Sequence, residues 1–107
     1  MTDFSDRERG EEAKHAMDEE TAFRVAARSN KLLGHWAAEK MGLTAEETEA
    51  YAKAVVQADF EEAGHEDVIR KVLGDLTSAG VDVEESDVRK ALEDRTVEAR
   101  RQLMSGA

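Results

Sequence analysis

The chain has 107 residues, of which 37% are charged, and a formal net charge of −10. A chain of this length forms one domain, and so acidic a surface argues against nucleic-acid binding, which needs a basic patch. The lack of cysteine excludes disulfides, zinc–thiolate sites and cysteine nucleophiles. Since no secretory or membrane-spanning segment is evident, we expect a cytoplasmic protein.

The first nineteen residues are too polar to build a core. Phe4 and Met17 are their only large apolar side chains after Met1, and Gly10 lowers helix stability by about 1 kcal/mol relative to alanine. Ordering a residue costs about 1–2 kcal/mol, which burial must offset. We therefore predict a loosely ordered arm over residues 1–19 that becomes helical when a partner holds it.

A long helix is predicted from about Glu20 to Met41. Gly34 lies inside this helix and indicates the close approach of another helix there, beneath the Trp36 ring. The predicted apolar stripe is formed by Phe23, Ala26, Ala27, Leu33, Trp36, Ala37 and Met41.

The next helix is bounded by local signals. Gly42 has the position of a glycine that follows a helix end, and Thr44 with Glu47 has the spacing of a capping box. We expect this second helix to end at Gly64. Its apolar face carries Tyr51, Val55, Val56 and Ala58.

Two further amphipathic helices complete the chain. One ends at Gly80, and the other follows a cap predicted at Asp82 with Glu85 three residues later. Their apolar positions are Val68, Ile69, Val72, Leu73 and Leu76, then Val88, Ala91, Leu92, Thr96, Ala99 and Leu103. Four helices with short connections predict an all-α, four-helix antiparallel bundle over residues 20–107.

Two Glu-x-x-His pairs raise the alternative of a metal-binding bundle. Glu12 and His15 form one pair, and Glu62 and His65 the other. Such pairs belong to di-iron sites when they face a bundle core with two further glutamates. Gly64 interrupts the second pair and the first lies in the arm, so we favour solvated helix surface and expect no cofactor.

Recognisable catalytic motifs are absent from the sequence. We find no phosphate-binding glycine loop, nucleophile elbow or HExxH zinc motif. A small molecule such as a nucleotide bound at the bundle surface stays open as a further alternative, although the net charge opposes it. The sequence therefore favours a non-catalytic protein that acts by interaction.

Three stretches carry a resemblance to a known family. They are FSDRE at 4–8 with Glu12 and Lys14 following, ARSNKLLGHWAAEKMGL at 27–43, and DFEEAGHEDVIRKVLGDL at 59–76. In order and spacing they resemble the ATPase inhibitor subunit zeta family of alphaproteobacterial ATP synthases. The resemblance implies a four-helix protein, monomeric when free, that binds the F1 sector and lies peripheral to the inner membrane without contacting it.

The resemblance also implies a role for the arm. In this family the N-terminal segment is thought to enter a catalytic interface between an alpha and a beta subunit, near gamma, and to block ATP hydrolysis. The arm positions that the resemblance carries over are Phe4, Asp6, Arg7, Glu8, Glu12 and Lys14.

The arm departs from the family at three positions. Ser5, Gly10 and His15 stand where an aspartate, a better helix former and an aromatic are usual. We add His15 to the partner-binding positions, because an imidazole among carboxylates would gain charge as pH falls. The hypothesis is that inhibition strengthens at lower pH and that His15→Gln removes this dependence.

Overall fold

The structure, a computed structural model, describes the backbone of residues 2–59 and 65–104 and the side chains of 20–59 and 65–104. Its helices are α1 (Thr2–Met41), α2 (Ala45–Ala58), α3 (Glu66–Ser78) and α4 (Glu85–Met104). No strand occurs in these ranges, so the predicted all-α four-helix fold is confirmed. α1 passes residue 19 without a break. The side chains of the arm lie outside the described residues. The loose order of the free arm and the boundary between arm and bundle at residues 19 and 20 therefore stay predictions.

Glycines end two of the helices as predicted. Gly42 and Gly80 have positive φ angles of 71° and 82°, a conformation that costs glycine little. At the first, the Leu43 amide donates to the carbonyl of Ala38 at 3.0 Å and the Gly42 amide to that of Glu39 at 3.1 Å. These are the two bonds of a Schellman motif, which turn the chain from α1 toward α2.

The helix starts agree with prediction at α2 and differ at α4. The Thr44 hydroxyl accepts from the Glu47 amide at 3.2 Å, and the Glu47 carboxylate accepts from the Thr44 amide at 2.9 Å. These two bonds are the predicted capping box. The cap predicted at Asp82 is wrong, because the carboxylate that binds a backbone amide there is that of Asp87, 2.9 Å from the Glu84 nitrogen.

The end of α2 also differs from prediction. The helix stops at Ala58 with Asp59 as its C-terminal cap, and the Asp59 amide donates to the carbonyl of Val56 at 3.2 Å. The predicted end at Gly64, which itself lies outside the described residues, is therefore wrong.

One core joins all four helices, and all ten residues of the core cluster were predicted. α1 supplies its central residues, with Leu33 and Ala37 fully buried. Trp36, Met41, Tyr51 and Leu73 are partly buried against it. The core cluster consists of Leu33, Ala37, Val55, Val68, Ile69, Val72, Leu76, Val88, Ala91 and Leu92.

The predicted stripe of α1 is wrong at its N-terminal end. Phe23 is 57% exposed, whereas Val25, Ser29 and Asn30 are buried. The Ser29 hydroxyl donates to the Val25 carbonyl at 2.6 Å. Neither polar atom of the Asn30 carboxamide has a partner in the described part of the chain.

Contacts between the helices place α2 and α4 against α1. A methyl group at Gly34 would lie 2.6 Å from the Ala52 Cα atom, so α1 and α2 approach closely, as predicted. The atoms nearest that position belong to Ala52 rather than to the Trp36 ring. At the other face of α1, an Arg28 guanidinium nitrogen donates to Gln102 of α4 at 3.0 Å.

Candidate partner-binding site

The predicted arm forms the first part of α1. Its eighteen residues from Thr2 to Glu19 span about 27 Å at 1.5 Å per residue. The helix thus brings all of the predicted arm positions to one rod that continues into the bundle. Their side chains lie outside the described residues; these positions are Phe4, Asp6, Arg7, Glu8, Glu12, Lys14 and His15.

A groove lies where the arm meets the bundle, and we call it the root groove. Its volume is about 580 Å³, and it lies between α1, the end of α4 and Val56 of α2. Ala27 and Leu32 of α1 and Leu103 of α4 give it apolar surface, and Phe23 also lines it. The root groove is lined by Phe23, Arg24, Ala27, Arg28, Lys31, Leu32, His35, Val56, Gln102 and Leu103.

The charges of the root groove are opposite to those of the molecule. Arg24, Arg28 and Lys31 line it, and no carboxylate of the described side chains does, although Asp and Glu outnumber Lys and Arg by 25 to 15 in the sequence. The three cations follow an i, i+4, i+7 spacing and therefore share one face of α1. This is a local positive surface on a strongly acidic protein.

The partners of these cations leave them accessible. Arg24 binds Glu20 at 2.8 Å in an ion pair whose side chains are both 65% exposed. Arg28 donates to Gln102, and Lys31 is exposed with no ion-pair partner among the described residues. Because exposed pairs contribute only about 0–1 kcal/mol, a competing carboxylate can replace them.

His35 lines the root groove, and Trp36 is the next residue of α1. The His35 Nε2 atom lies 3.1 Å from a Glu49 carboxylate oxygen of α2, although it is not aligned as a hydrogen bond. Lys40 and Arg95 approach the Trp36 ring at 5.1 and 5.7 Å from its centroid. These cation–π contacts hold the partly buried ring between α1 and α4, which agrees with its predicted place in the core.

A polar cluster ties α2 to α3 away from the root groove. The Tyr51 hydroxyl donates to the Asp75 carboxylate at 2.8 Å, and the Lys71 Nζ atom lies 3.2 Å from the same oxygen. Burial and the neighbouring Asp75 carboxylate raise the pKa of Tyr51 far above its ordinary value. The phenol therefore stays protonated and serves as a structural donor.

A second polar cluster ties α3 to α4. The Arg89 guanidinium donates two hydrogen bonds to Glu66, at 2.7 and 3.0 Å, and lies 3.5 Å from Glu85. The Arg89 hydrogen bonds lower the pKa of Glu66. The pair is bidentate but exposed, so we assign it to the bundle's structure rather than to a site.

The metal alternative gains no support from the described part of the chain. His65 is exposed at the N-terminal end of α3 rather than directed into the core. Glu62 and the side chains of Glu12 and His15 lie outside the described residues. Among the described side chains, no group of three or more His, Asp or Glu residues could hold a metal ion.

None of the described helices combines the length and the apolar character that crossing a bilayer requires.

The root groove was not predicted from the sequence. The spacing of Arg24, Arg28 and Lys31 was a visible signal, but cations at helical spacing usually mark a solvated face. The apolar floor could not be read locally, because Val56 and Leu103 come from two other helices.

Comparisons with known proteins agree with the fold and the sequence motifs. Residues 1–102 match the family described as ATPase inhibitor subunit zeta. A comparison with curated proteins gave no match. A protein solved by solution NMR is 50% identical, with a TM-score of 0.70 over 79% of this chain and 96% of that chain. The family match spans both the arm and the bundle, and the chain therefore belongs to the ATPase inhibitor subunit zeta family.

Proposed function

We propose that this protein binds the F1 sector of ATP synthase and inhibits ATP hydrolysis by inserting residues 1–19 at a catalytic interface between an alpha and a beta subunit, near gamma. Membership of the family supports a role as a regulatory ATPase inhibitor subunit. The observation that carries the finer proposal is the continuity of α1 from Thr2 to Met41.

A continuous helix between arm and bundle is suited to an inhibitor that blocks rotation in the enzyme. Downstream of the arm, α1 is held in the core by Leu33, Ala37 and Ala38, each fully buried, and by close packing of Gly34 on Ala52. An arm bound by the partner is thus joined, through the same helix, to residues that are packed in the bundle core. Force applied to the arm is resisted by the whole bundle rather than by a flexible linker.

The arm's composition suits reversible capture. Phe4 is the apolar anchor, and burying such a ring contributes about 1.5–3 kcal/mol. Arg7 and Lys14 pair with carboxylates of the interface, while Asp6, Glu8 and Glu12 meet basic groups there. Ordering the arm on binding costs several kcal/mol, which keeps the net affinity low enough for release when rotation reverses.

The test is ATP hydrolysis by purified F1 from the same organism. The full chain should inhibit, and a chain that lacks residues 2–19 should not. Because the core cluster lies within residues 33–92, circular dichroism should show that the shortened chain keeps its cooperative melting. Equal inhibition by the two chains would remove the arm from the mechanism.

Two arginines of the arm provide a matched pair of variants. Arg7 is one of the predicted contact positions, whereas Arg9 is not, and two residues on a helix differ by about 200° in direction. We expect Arg7→Ala to weaken inhibition several-fold and Arg9→Ala to leave it nearly unchanged. Equal losses would mean that only the arm's net charge matters.

A further inference from the structure

We propose that the root groove is a second docking surface, which receives an acidic amphipathic helix of F1 next to the site of the arm. This inference rests on the proposed function, since it takes F1 as the partner. It adds a second contact, made by the bundle itself, and it names the chemistry of the surface that is recognised.

The charge of the root groove selects an acidic occupant. Arg24, Arg28 and Lys31 lie along about 10 Å of α1, at 1.5 Å per residue. Carboxylates at i, i+4 and i+7 of a facing helix have the same spacing and can pair with them in register. Guanidinium groups keep free donors after one hydrogen bond, so Arg24 and Arg28 can bind the partner beside Glu20 and Gln102.

The floor of the root groove selects an amphipathic rather than a merely acidic occupant. The root groove is also lined by Ala27, Leu32, Val56 and Leu103, and by Phe23, which is 57% exposed and is the lining residue nearest to the arm in the chain. An apolar side chain between the carboxylates of the facing helix would remove this surface from water. Recognition of an amphipathic helix in an apolar groove with a charged rim is a common binding mode.

The position of the root groove connects it to the arm. Phe23 follows the last arm residue by four positions on the same continuous helix, a rise of about 6 Å. A partner that encloses the arm therefore comes against the root groove without any bending of α1. Two contacts on one rod raise the affinity and also fix the depth to which the arm enters.

The other occupants of a basic apolar groove are a lipid surface and a second copy of this chain. An anionic bilayer must overcome the net charge of −10 on the rest of the molecule, and a second copy repels the first for the same reason. Each of these is a distinct outcome of the test below.

The test compares full-length variants for binding to purified F1. In R24E/R28E/K31E the root groove is reversed in charge. In the control R70E/K90E/R100E, three exposed cations of α3 and α4 are reversed, with the same change in net charge. We expect binding about ten- to a hundred-fold weaker for the first and within about threefold of the original for the second.

Carbodiimide coupling then identifies the partner directly, because it joins a lysine amine to a carboxylate in contact with it. We expect Lys31 to couple to an Asp or Glu of an F1 helix. Lys31→Arg should keep the affinity and lose this product, since the charge remains and the amine does not. Absence of the product in the original chain would overturn the proposal.

The outcomes separate this inference from the proposed function. If R24E/R28E/K31E binds as well as the original while Arg7→Ala loses inhibition, the root groove is overturned and the arm mechanism stands. If R24E/R28E/K31E binds weakly while the shortened chain still inhibits, the root groove stands and the arm mechanism fails. Cosedimentation with phosphatidylglycerol vesicles, or dimerisation that the reversal abolishes, would assign the groove to a lipid surface or a second copy and overturn the proposal.

Discussion

Because Gly34 packs closely against Ala52, a single methyl group added at position 34 should destabilise the fold. Alanine at position 34 would place its Cβ 2.6 Å from the Ala52 Cα, a backbone atom that cannot move away without separating α1 from α2. We expect Gly34→Ala to lower the free energy of unfolding by about 1–3 kcal/mol, despite the better helix propensity of alanine. Chemical denaturation measures this change.

Gly74 supplies the matched control for that substitution. It lies within α3 and is exposed, and apart from its chain neighbours and the backbone of its own helix no described atom lies within 4 Å of the position that an added methyl group would take. Gly74→Ala should therefore raise the free energy of unfolding by about 0.5–1 kcal/mol, through helix propensity alone. Changes of the same sign at both glycines would contradict the packing assigned to Gly34.

Asn30 is a buried polar residue whose carboxamide has no hydrogen-bond partner among the described residues. Its side chain is fully buried, and neither carboxamide atom has a partner among the described residues. An unpaired buried polar group costs about 1–3 kcal/mol, so Asn30→Leu should leave stability unchanged or raise it by about 1 kcal/mol. Asn30→Asp should instead lower it by more than about 2 kcal/mol, because it buries a charge. A marked loss for the leucine variant would reveal a hydrogen bond at this site.

The helix boundaries at Gly42, Thr44 and Gly80 were predictable because their signals are local. The capping box of Thr44 and Glu47 and the glycines at 42 and 80 act within four or five residues, and the structure has each of them. The start of α4 was misplaced by two residues, since Asp82 with Glu85 has the same acidic spacing as Glu84 with Asp87. Local spacing alone cannot choose between two such overlapping pairs.

Contacts between helices could not be predicted in the same way. The predicted apolar stripe of α1 included Phe23. Burial at that position depends on how far α2 and α4 extend along α1, and Phe23 is 57% exposed. The arm over residues 1–19 stays a prediction, which was made from its composition and from the family resemblance. The root groove needed the structure, because three helices contribute to it.

The stability that the Tyr51–Asp75 hydrogen bond gives to the link between α2 and α3 depends on pH. The pKa of Tyr51 is raised in the folded state by burial and by Asp75. The stability contributed by its protonated phenol is thus complete below about pH 10, the unfolded value, and is lost as pH rises further. We expect the melting temperature to fall more steeply above about pH 10 than it does in Tyr51→Phe.

The same variant gives the size of this link at neutral pH. Tyr51→Phe removes the hydrogen bond to Asp75 and should cost about 1 kcal/mol. Since Tyr51 is the only tyrosine, phenolate absorbance reports its ionisation without interference from another phenol. Titration of this signal near pH 10 in the folded protein would contradict the assigned environment.

At the scale of the whole molecule, charge acts in two opposite ways. A net charge of −10 on 107 residues opposes compaction through self-repulsion. The root groove gathers positive charge on that acidic body, where it can attract a carboxylate surface at short range. Because the Debye length is about 10 Å at 0.1 M salt, both effects weaken as salt is added.

Salt should therefore stabilise the free protein while it weakens the complex. Between about 20 and 300 mM sodium chloride we expect the melting temperature to rise by a few degrees, and the affinity for F1 to fall. R24E/R28E/K31E should melt with an even stronger dependence on salt, since it is more acidic, yet its weak binding should lose most of its salt dependence. R70E/K90E/R100E should also melt with a stronger dependence on salt, but its binding to F1 should keep the salt dependence of the original chain. This difference would assign the binding effect to the position of the charges rather than to their sum.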